Sequence, residues 1–481
     1  MTRSLVAKTE IFIIVFLACI PLFLHLPYRV NIFLSWEGAY RMSEGQLPFR
    51  DFGIPLGGMY WVIPAIFFKI FGPAMITLVK AQVLINILTG LSFRSILRSL
   101  SVDDGIRLAS VLMFCLSYSF FNFWPWYNHS VIFYELAGLA FLFRFLRVDG
   151  AEGRGWGRAA WLVGAAFFTC CSFLTKQDGG GLAFALCCWL LAVEGLLRRR
   201  WKPLAIYAGS FVVLLTLIIL PFLAYGFGYW FNHGQAPHSS RVSLFDIVNE
   251  LFGFSPWLRF YLFLIVLLAG IRWRSGAALR ADRTMVLLTA LAIGILGEAA
   301  VLQVTSYTPP DNNIFFHSFA FACIFSMLAP LIPIKTERPA VLAVLTVGVV
   351  IWWSGTWWNY TQRIVARFLP RKETARVSPT GENVVNRDTY MIPRDTTREI
   401  PMDQWVECEL PSFRKMRMPA PTVAGIHRLL DMDLIRRYRQ GRKPDGLPGK
   451  RGAAGPAGGA PAEDLRVLNM SELTPLAAEI P

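Results

Sequence analysis

Long apolar runs separated by short polar stretches recur along roughly the first three quarters of the chain. About eleven of these runs approach the length of roughly 20 apolar residues that a helix needs to cross a bilayer. They lie at residues 10–27, 74–93, 108–124, 131–147, 160–175, 180–197, 203–226, 257–271, 284–304, 314–334 and 340–358. The first run has no small-x-small cleavage site before Pro27, so we expect it to remain as an anchor. The pattern predicts an all-α polytopic membrane protein with about 11 transmembrane helices.

Basic residues fall on alternate polar stretches between these runs. The stretches contain Arg3 and Lys8; Arg94, Arg98 and Arg107; Arg144, Arg147, Arg154 and Arg158; Arg198, Arg199, Arg200 and Lys202; Arg272, Arg274, Arg280 and Arg283; and Lys335 and Arg338. Cytoplasmic loops of membrane proteins carry an excess of Lys and Arg. The alternation therefore predicts a cytoplasmic N-terminus and, after eleven spans, a C-terminal tail outside the membrane.

The segment 58–72 is apolar but too short for a bilayer span. Counting it as a span would invert the alternation of basic loops. We therefore expect a helix that lies in the outer interface, within a first extracytoplasmic loop over about residues 28–73 that contains interfacial helices. The other outer loops are expected near residues 125–130, 176–179, 227–256 and 305–313.

The last part of the chain has a different character. We divide the protein into a membrane domain over residues 1–358 and a small extracytoplasmic tail over 359–481. The tail contains Pro/Arg-rich stretches, one amphipathic helix expected near Ile426–Arg439, and a Gly/Pro/Ala-rich flexible linker at 449–461. Asn469-Met-Ser-Glu472 is similar to a capping box and predicts a short last helix.

The composition agrees with a membrane protein and excludes other classes. Hydrophobic residues make up 54% and charged residues 16% of the chain, and the mean hydropathy is +0.45. A soluble globular domain has about 25% charged residues, and a disordered chain is less hydrophobic than this one. The net charge of +15 falls between apolar runs, so we expect contact with membrane lipids and no nucleic acid. The 8 Cys show no CxxC or Cys/His spacing, so we expect no zinc site, disulfide framework or cofactor; a divalent metal remains an alternative without support.

The first outer loop carries a candidate general base. Glu37, Tyr40, Arg41 and Glu44 have the spacing of one face of a short helix, which Gly45 can end. A carboxylate on an interfacial helix can accept a proton from a substrate hydroxyl. The alternative is a solvated helix face with internal ion pairs.

The same loop resembles a known superfamily. The loop has an acidic residue after the first span, then a Tyr, then the segment Gly45-Gln-Leu-Pro-Phe-Arg-Asp-Phe52, and then an apolar segment that ends in Lys69-Ile-Phe-Gly72. This order of features resembles the GT-C superfamily of polyprenyl-phosphate-sugar-dependent membrane glycosyltransferases. Within it, the loop is similar to the protein mannosyltransferase and lipid-A aminoarabinose transferase families. The resemblance extends over most of residues 10–330. It implies that Glu37 matches the acidic catalytic position and that Asp51 matches the Asp of a Tyr-Arg-Asp-Phe segment. The family often has two adjacent acidic residues where this chain has Trp36 and Glu37.

Two further stretches carry candidate binding residues. In Trp124-Pro-Trp-Tyr-Asn-His-Ser130, His129 is a candidate for binding phosphate or relaying a proton, and Glu135 follows within the next span. The alternative is that the aromatic residues are interface anchors. In Leu174-Thr-Lys-Gln-Asp-Gly-Gly-Gly181, Lys176 suits a lipid phosphate, and the glycines let backbone N–H groups approach an anion. The alternative is a snorkelling Lys176 beside its counter-ion Asp178.

A last group lies near the outer ends of the ninth and tenth runs. Glu298 lies within an apolar run, and Asp311 and His317 follow. The superfamily often has an Arg-x-Asp-x-x-His feature here that binds donor phosphate; this chain lacks the Arg, for which Arg241 is one candidate substitute. The alternative for His317 is a capping or core histidine.

The resemblance to the GT-C superfamily, together with these residues, implies a glycosyltransferase. We expect it to move a sugar from a polyprenyl-phosphate carrier to a lipid or glycan acceptor at the outer face of a bacterial cytoplasmic membrane. Glu37 would deprotonate the acceptor, and Lys176, with Arg241 or His317, would stabilise the departing lipid phosphate. The alternatives are a transporter or flippase of lipid-linked substrates, which would place charged groups at the bilayer midplane on repeated halves, and a non-catalytic scaffold, which would need neither residue.

Overall fold

The computed structural model describes residues 3–23, 26–27, 30–53, 56–119, 122–147, 156–231, 244–305, 315–332, 335–336, 338–352, 405–432 and 475. Helices dominate it. They are α1 (Arg3–Cys19), α2 (Val30–Ser43), α3 (Val62–Phe71), α4 (Met75–Ser99), α5 (Asp104–Phe114), α6 (Tyr127–Arg147), α7 (Trp156–Phe173), α8 (Gln177–Arg198), α9 (Lys202–Ile219), α10 (Phe227–Trp230), α11 (Leu244–Asn249), α12 (Pro256–Arg272), α13 (Gly276–Ala281), α14 (Arg283–Thr305), α15 (Phe316–Leu328), α16 (Pro339–Trp352) and α17 (Ala420–Leu430).

Each of the eleven predicted apolar runs overlaps one of these helices, which confirms an all-α polytopic membrane protein. Among the residues described, six helices are long and apolar enough to cross a membrane on their own: Arg3–Phe23, Met75–Ser99, Tyr127–Arg147, Gln177–Arg198, Lys202–Tyr225 and Arg283–Thr305. A seventh span results if Leu244–Gly253 and Pro256–Arg272, which meet at 77°, count as one. Shorter apolar helices lie at Met59–Phe71, Gly157–Phe173, Phe316–Leu328 and Pro339–Ile351. The total of about 11 spans therefore stays a prediction.

One end of the helix bundle collects basic side chains that are paired with buried acids. Glu10 of α1 has no exposed surface and binds both Arg94 of α4 and Arg107 of α5, the latter with an Nε–Oε1 distance of 2.7 Å. Arg107 also contacts Asp104 at 2.8 Å. A charge inside an apolar bundle is very costly unless it is paired, so this cluster fixes how α1, α4 and α5 meet.

A second cluster ties together another set of helices at the same end. Arg283, at the start of α14, contacts Glu194 of α8 at 2.8 Å and donates to the Leu146 carbonyl of α6 at 2.8 Å. Arg198 reaches Glu194 at 3.2 Å. We call this end of the bundle, defined by Arg94, Arg107, Arg198 and Arg283, the basic end. The clusters explain how the predicted alternation brings arginines from distant helices together; the side of the membrane they face stays a prediction.

The first loop packs over the opposite end of the bundle. The backbone N–H of Met59 donates to the Leu174 carbonyl at 3.3 Å, and the Tyr134 hydroxyl donates to the Met59 carbonyl at 3.1 Å. A Cβ atom on Gly57 would lie 1.3 Å from the Leu174 carbonyl oxygen, so only glycine permits this approach. We call this end, where the first loop meets the turns before α6 and α8, the loop end. The segment 58–72 forms a 3-10 turn over Met59–Trp61 followed by α3.

A small sheet joins the tail to the backbone between α1 and α2. Strands β1 (Leu26–Pro27), β2 (Trp405–Glu407) and β3 (Met416–Pro419) lie in the order β1-β3-β2. Leu26 pairs in parallel with Met416, and Val406 pairs antiparallel with Met418. The helix expected near Ile426–Arg439 begins earlier, at Ala420, and α17 ends at Leu430. The linker at 449–461 and the capping box at 469–472 lie outside the described residues.

Candidate functional site

A buried lysine occupies the turn between α7 and α8 at the loop end. The Lys176 side chain is only 8% exposed, and its Nζ lies 3.1 Å from Oδ2 of Asp178. The backbone N–H of Lys176 donates to the Ser172 carbonyl at 3.0 Å, and the Ser172 hydroxyl donates to Val131 of α6 at 2.9 Å. The expected counter-ion is therefore present. Burial of this side chain differs from a snorkelling lysine, whose ammonium group reaches water.

The glycines after Lys176 allow the turn to close tightly. A Cβ atom on Gly180 would lie 2.1 Å from the Cα of Phe173, so a side chain there would push α7 and α8 apart. Asp178 lies in the first turn of α8, where its carboxylate accepts the Gly179 N–H at 2.7 Å. A carboxylate is favourable at a helix N-terminus. The glycines that follow Lys176 are therefore explained by the close packing of α7 against α8, in addition to the anion binding proposed from the sequence.

The candidate base lies on α2, as the spacing predicts. Oε1 of Glu37 accepts from Arg41 Nε at 3.0 Å and from Nη2 at 2.8 Å, and about a third of each side chain is exposed. Arg41 also donates to Gln46 at 3.3 Å. Helix α2 ends at Ser43, so the exposed Glu44 lies just beyond it, and Gly45 has a φ of 87°. The internal ion pair expected of a solvated face is present, and it joins Arg41 to Glu37.

Two tyrosines connect the base and the lysine. The Tyr60 and Tyr127 rings lie 6.0 Å apart, centre to centre, and Lys176 Nζ lies 5.8 Å from the centre of the Tyr127 ring. Burial raises the pKa of the Tyr60 hydroxyl, and the nearby Tyr127 hydroxyl and Glu37 carboxylate raise this pKa further. Sequence reasoning missed Tyr60, although a tyrosine in the otherwise apolar segment 58–72 was a usable signal. Lys176 thus lies beside Tyr127, and Glu37 is close enough to Tyr60 for the two side chains to interact electrostatically.

His129 belongs to the same neighbourhood. It lies in the first turn of α6, is 3% exposed, and is close enough to Lys176 for the two side chains to interact electrostatically. The Tyr118 hydroxyl donates to the backbone carbonyl of His129 at 2.5 Å. The structure therefore brings Glu37, Arg41, His129, Lys176 and Asp178 to one region of the loop end.

The turn that leads into α6 is unusual for its buried polar atoms. The Nε1 atoms of Trp124 and Trp126, both side-chain amide atoms of Asn122 and Oδ1 of Asn128 are buried, and no group of the described protein bonds to them. Both indoles lie inside the protein, so they do not serve as anchors in lipid. Native proteins leave few such atoms unsatisfied, so each is a candidate for contact with water or substrate.

Asp51 lies in a different setting from Glu37. Its carboxylate binds Arg50 at 2.7 Å and accepts the Leu47 N–H at 2.7 Å, within a turn in which Phe49 has a φ of 69°. The hydrogen bond from Arg50 and then that from Leu47 hold the pKa of Asp51 below its ordinary value. Asp51 is therefore paired with the exposed Arg50 and stabilises the turn through its hydrogen bond from Leu47.

The remaining sequence candidates lie elsewhere or beyond the described residues. Glu135 is 2% exposed, and its carboxyl group lies near that of Glu298 on α14. Oε1 of Glu135 and both carboxyl oxygens of Glu298 are buried, and no described group hydrogen-bonds to them. Nδ1 of His317 lies 2.9 Å from the Tyr261 hydroxyl, and its ring lies 4.5 Å from that of Trp257, which is the environment of a core histidine. Arg241 and Asp311 lie outside the described residues. Among the residues that the structure describes, no group of three or more His, Cys, Asp or Glu side chains could hold a metal ion.

The fold and these contacts define a polytopic all-α membrane protein with a charged site at the loop end. No protein-family model matches the chain, and no curated protein matches it. Among solved structures, it is similar to ArnT from Cupriavidus metallidurans bound to undecaprenyl phosphate, with 13% identity over 76% of this chain and 73% of that chain and a TM-score of 0.43. The apo state of ArnT gives 14% identity over 74% and 70% of the chains and a TM-score of 0.41.

Proposed function

We propose that this protein is a glycosyltransferase that moves a sugar, a hexose or a pentose, from a polyprenyl-phosphate carrier to a lipid or glycan acceptor. The observation that carries the proposal is the buried Lys176, which lies beside Tyr127, while Glu37 interacts electrostatically with the neighbouring Tyr60. A cation and a carboxylate on two sides of one region are what transfer from a phosphate leaving group requires. Burial strengthens the interaction of Lys176 with an anion, because water screens it less.

In the proposed reaction, the acceptor hydroxyl gives its proton to Glu37, and its oxygen bonds to the anomeric carbon of the sugar. The bond from that carbon to the phosphate oxygen breaks, and the lipid phosphate leaves with the electron pair. Lys176 stabilises the phosphate, and His129 is close enough to assist. Arg41 must leave Glu37 to reach a phosphate, and its departure frees the carboxylate to act as a base.

The experiment is a transfer assay with purified full-length protein. It measures loss of a radiolabelled polyprenyl-phosphate sugar in the presence of a crude lipid and glycan acceptor fraction. We expect release of polyprenyl phosphate and a labelled acceptor, and a large loss of both with Glu37→Gln. A protein that binds the donor but never releases polyprenyl phosphate would contradict the proposal.

We also propose that the loop end faces outward from a bacterial cytoplasmic membrane, since the basic end carries the charges that are retained in the cytoplasm. Reporter fusions after Arg98 and after residue 365 test this. We expect the first to report a cytoplasmic position and the second an outer one. The reverse result at either position would contradict the orientation.

One observation favours a second candidate, a transporter or flippase of lipid-linked substrates. The Glu135–Glu298 pair lies buried between two spanning helices, and ionisable groups inside a membrane often mark proton or substrate pathways. Glu298→Gln separates the two functions. A glycosyltransferase keeps its transfer rate with this substitution, whereas a proton-coupled transporter loses substrate movement across vesicles.

A further inference from the structure

A cavity of about 490 Å³ opens at the basic end, on the other side of the bundle from the candidate catalytic site. It lies between the α4–α5 turn, the end of α12, the start of α14 and the residues that follow α15. Ligand pockets in proteins commonly have volumes of about 300–1,000 Å³. The size of the cavity is therefore suitable for a small molecule or a lipid headgroup.

The floor of this cavity is apolar. Leu100, Val102, Ile106 and Leu288 line it, and all four are buried in the core. Directly after the lining residue Pro330, the side chains of Leu331 and Ile332 are 50% and 43% exposed. Apolar side chains inside and beside the cavity, at the end of membrane-spanning helices, favour an amphiphile over a soluble metabolite.

The polar part of the lining carries charges of both signs. Lys335 is exposed, and no described acidic side chain lies within ion-pair distance of it. Arg272 also lines the cavity, but Asp282 already neutralises it. Lys335 is thus the cation that remains for a ligand. A lysine ammonium group binds phosphate as a point charge.

The negative charge belongs to Asp103, the N-cap residue of α5. Its Oδ1 atom accepts the Gly105 N–H at 2.9 Å and the Thr336 hydroxyl. No basic side chain among the described residues forms an ion pair with Asp103, so within this part of the chain its charge has no counter-ion in contact. The Ser326 hydroxyl in the lining is also buried, and no described group hydrogen-bonds to it. A ligand that carries both a phosphate and an N–H cation would satisfy these groups together.

We propose that this cavity binds a membrane phospholipid whose headgroup carries a phosphate and a primary ammonium group. Lys335 contacts the phosphate, Asp103 accepts from the ammonium group, and the glycerol region lies on the apolar floor. Basic pockets between helices at the cytoplasmic side of membrane proteins commonly take lipid headgroups. The carboxylate in this pocket selects for a zwitterion and against a purely anionic lipid. The site is separate from the proposed transfer reaction.

The test is lipid binding to the full-length protein in detergent, measured by native mass spectrometry with three phospholipids of equal chain length. They are phosphatidylethanolamine, phosphatidylcholine, whose ammonium group has no N–H, and phosphatidylglycerol, which has no ammonium group. We expect phosphatidylethanolamine to bind most tightly. Equal affinity for all three lipids would overturn the proposal.

Two variants and one control assign the charges. Lys335→Gln should weaken binding of all three lipids about fivefold, whereas Lys202→Gln, an exposed lysine outside the cavity, should leave it unchanged. Asp103→Asn should remove the preference for phosphatidylethanolamine over phosphatidylglycerol, and it should fold normally because Asn and Asp cap helices equally well. Equal losses with Lys202→Gln and Lys335→Gln, or an unchanged preference with Asp103→Asn, would overturn the proposal. Soluble phosphoethanolamine should compete weakly; competition as strong as that of the lipid would contradict a role for the apolar floor.

Discussion

Replacement of Lys176 by alanine tests the proposed site most directly. Lys176 is buried and is paired with Asp178 at 3.1 Å, so the substitution has two separate effects. It removes the cation proposed to bind the donor phosphate, and it leaves the Asp178 carboxylate without its counter-ion. The first effect changes donor use, and the second changes the stability of the fold.

The structure allows both effects to be estimated. A hydrogen bond to a charged group contributes about 1.5–3 kcal/mol, so we expect the donor to be used about ten- to a hundredfold less efficiently. The Asp178 side chain is 22% exposed to solvent. The stability loss should therefore lie between the roughly 1 kcal/mol of an exposed pair and the roughly 3–5 kcal/mol of a broken buried pair.

A double variant separates the two effects. Lys176→Met combined with Asp178→Asn keeps the apolar stem and removes both charges, so it should recover most of the stability but none of the donor use. Lys80→Ala is the control, because Lys80 is an exposed lysine of α4 that contacts the Phe71 ring. The assay is kcat/KM for the polyprenyl-phosphate sugar, with thermal unfolding in parallel. If well-folded Lys176 variants keep wild-type donor kinetics, Lys176 has no role in donor binding.

Four further predictions concern the carboxylates. Glu37→Gln should lower turnover about 10²–10⁴-fold, as loss of a general base does. Glu44→Gln, beyond the end of α2, should keep near-normal turnover. Equal effects of the two substitutions in the transfer assay would contradict the assignment of Glu37 as the base. Asp51→Asn should change turnover little, because Asp51 is held in an exposed turn; abolished turnover would move the base to Asp51. The pKa of the Asp51 carboxyl group is lowered in the folded protein, so the ionised carboxylate stabilises the turn fully at pH values above its ordinary pKa of 3.8. This stabilisation should be lost only as the pH falls through the lowered pKa, and amide exchange at Leu47 would measure the loss. Glu298→Gln should leave the unfolding free energy within about 1 kcal/mol of wild type, because an ionised carboxylate without a cation is very costly in an apolar bundle and the neutral acid resembles an amide; a loss of several kcal/mol on chemical denaturation would show that Glu298 is ionised.

The sequence predicted the helices well because length and hydropathy are local properties. The apolar run 74–93 lies within α4, and the run 284–304 lies within α14. Helix ends were predicted less well. The run at 108–124 corresponds to a helix that begins at Asp104, because Asp103 accepts the Gly105 N–H and caps it. Likewise α6 begins at Tyr127, since neighbouring elements bury its polar first turn.

The small sheet could not be predicted from the sequence. Strand β1 has only two residues, which is too short for a pattern of alternating side chains, and its partner β3 lies in the tail. The pairing nevertheless links the tail to the backbone just before α2. A sequence that separates the tail from the membrane domain by composition gives no sign of this contact.

The candidate site was predicted residue by residue but not as a set of pairs. A charged residue within or beside an apolar run is a functional candidate by itself, and this criterion selected Glu37, Lys176 and Glu135 as candidate site residues. Which helices face each other is not encoded in residue spacing, so the partner of Glu135 on α14 could not be predicted. The buried Glu10 was missed for the same reason, because its partners lie on α4 and α5.

The two ion pairs at the loop end suggest how the site would respond to its donor. Glu37–Arg41 and Lys176–Asp178 are both closed, so each cation already has a carboxylate partner. A donor phosphate can bind these cations only by replacing the carboxylates, and its affinity is the difference between the two sets of contacts. Each replacement releases a carboxylate that has lost its cation, and the pKa of such a group rises. Donor binding would thereby prepare a base only when a phosphate is present, and comparison of Glu37→Gln with Asp178→Asn would show which of the two carboxylates accepts the proton.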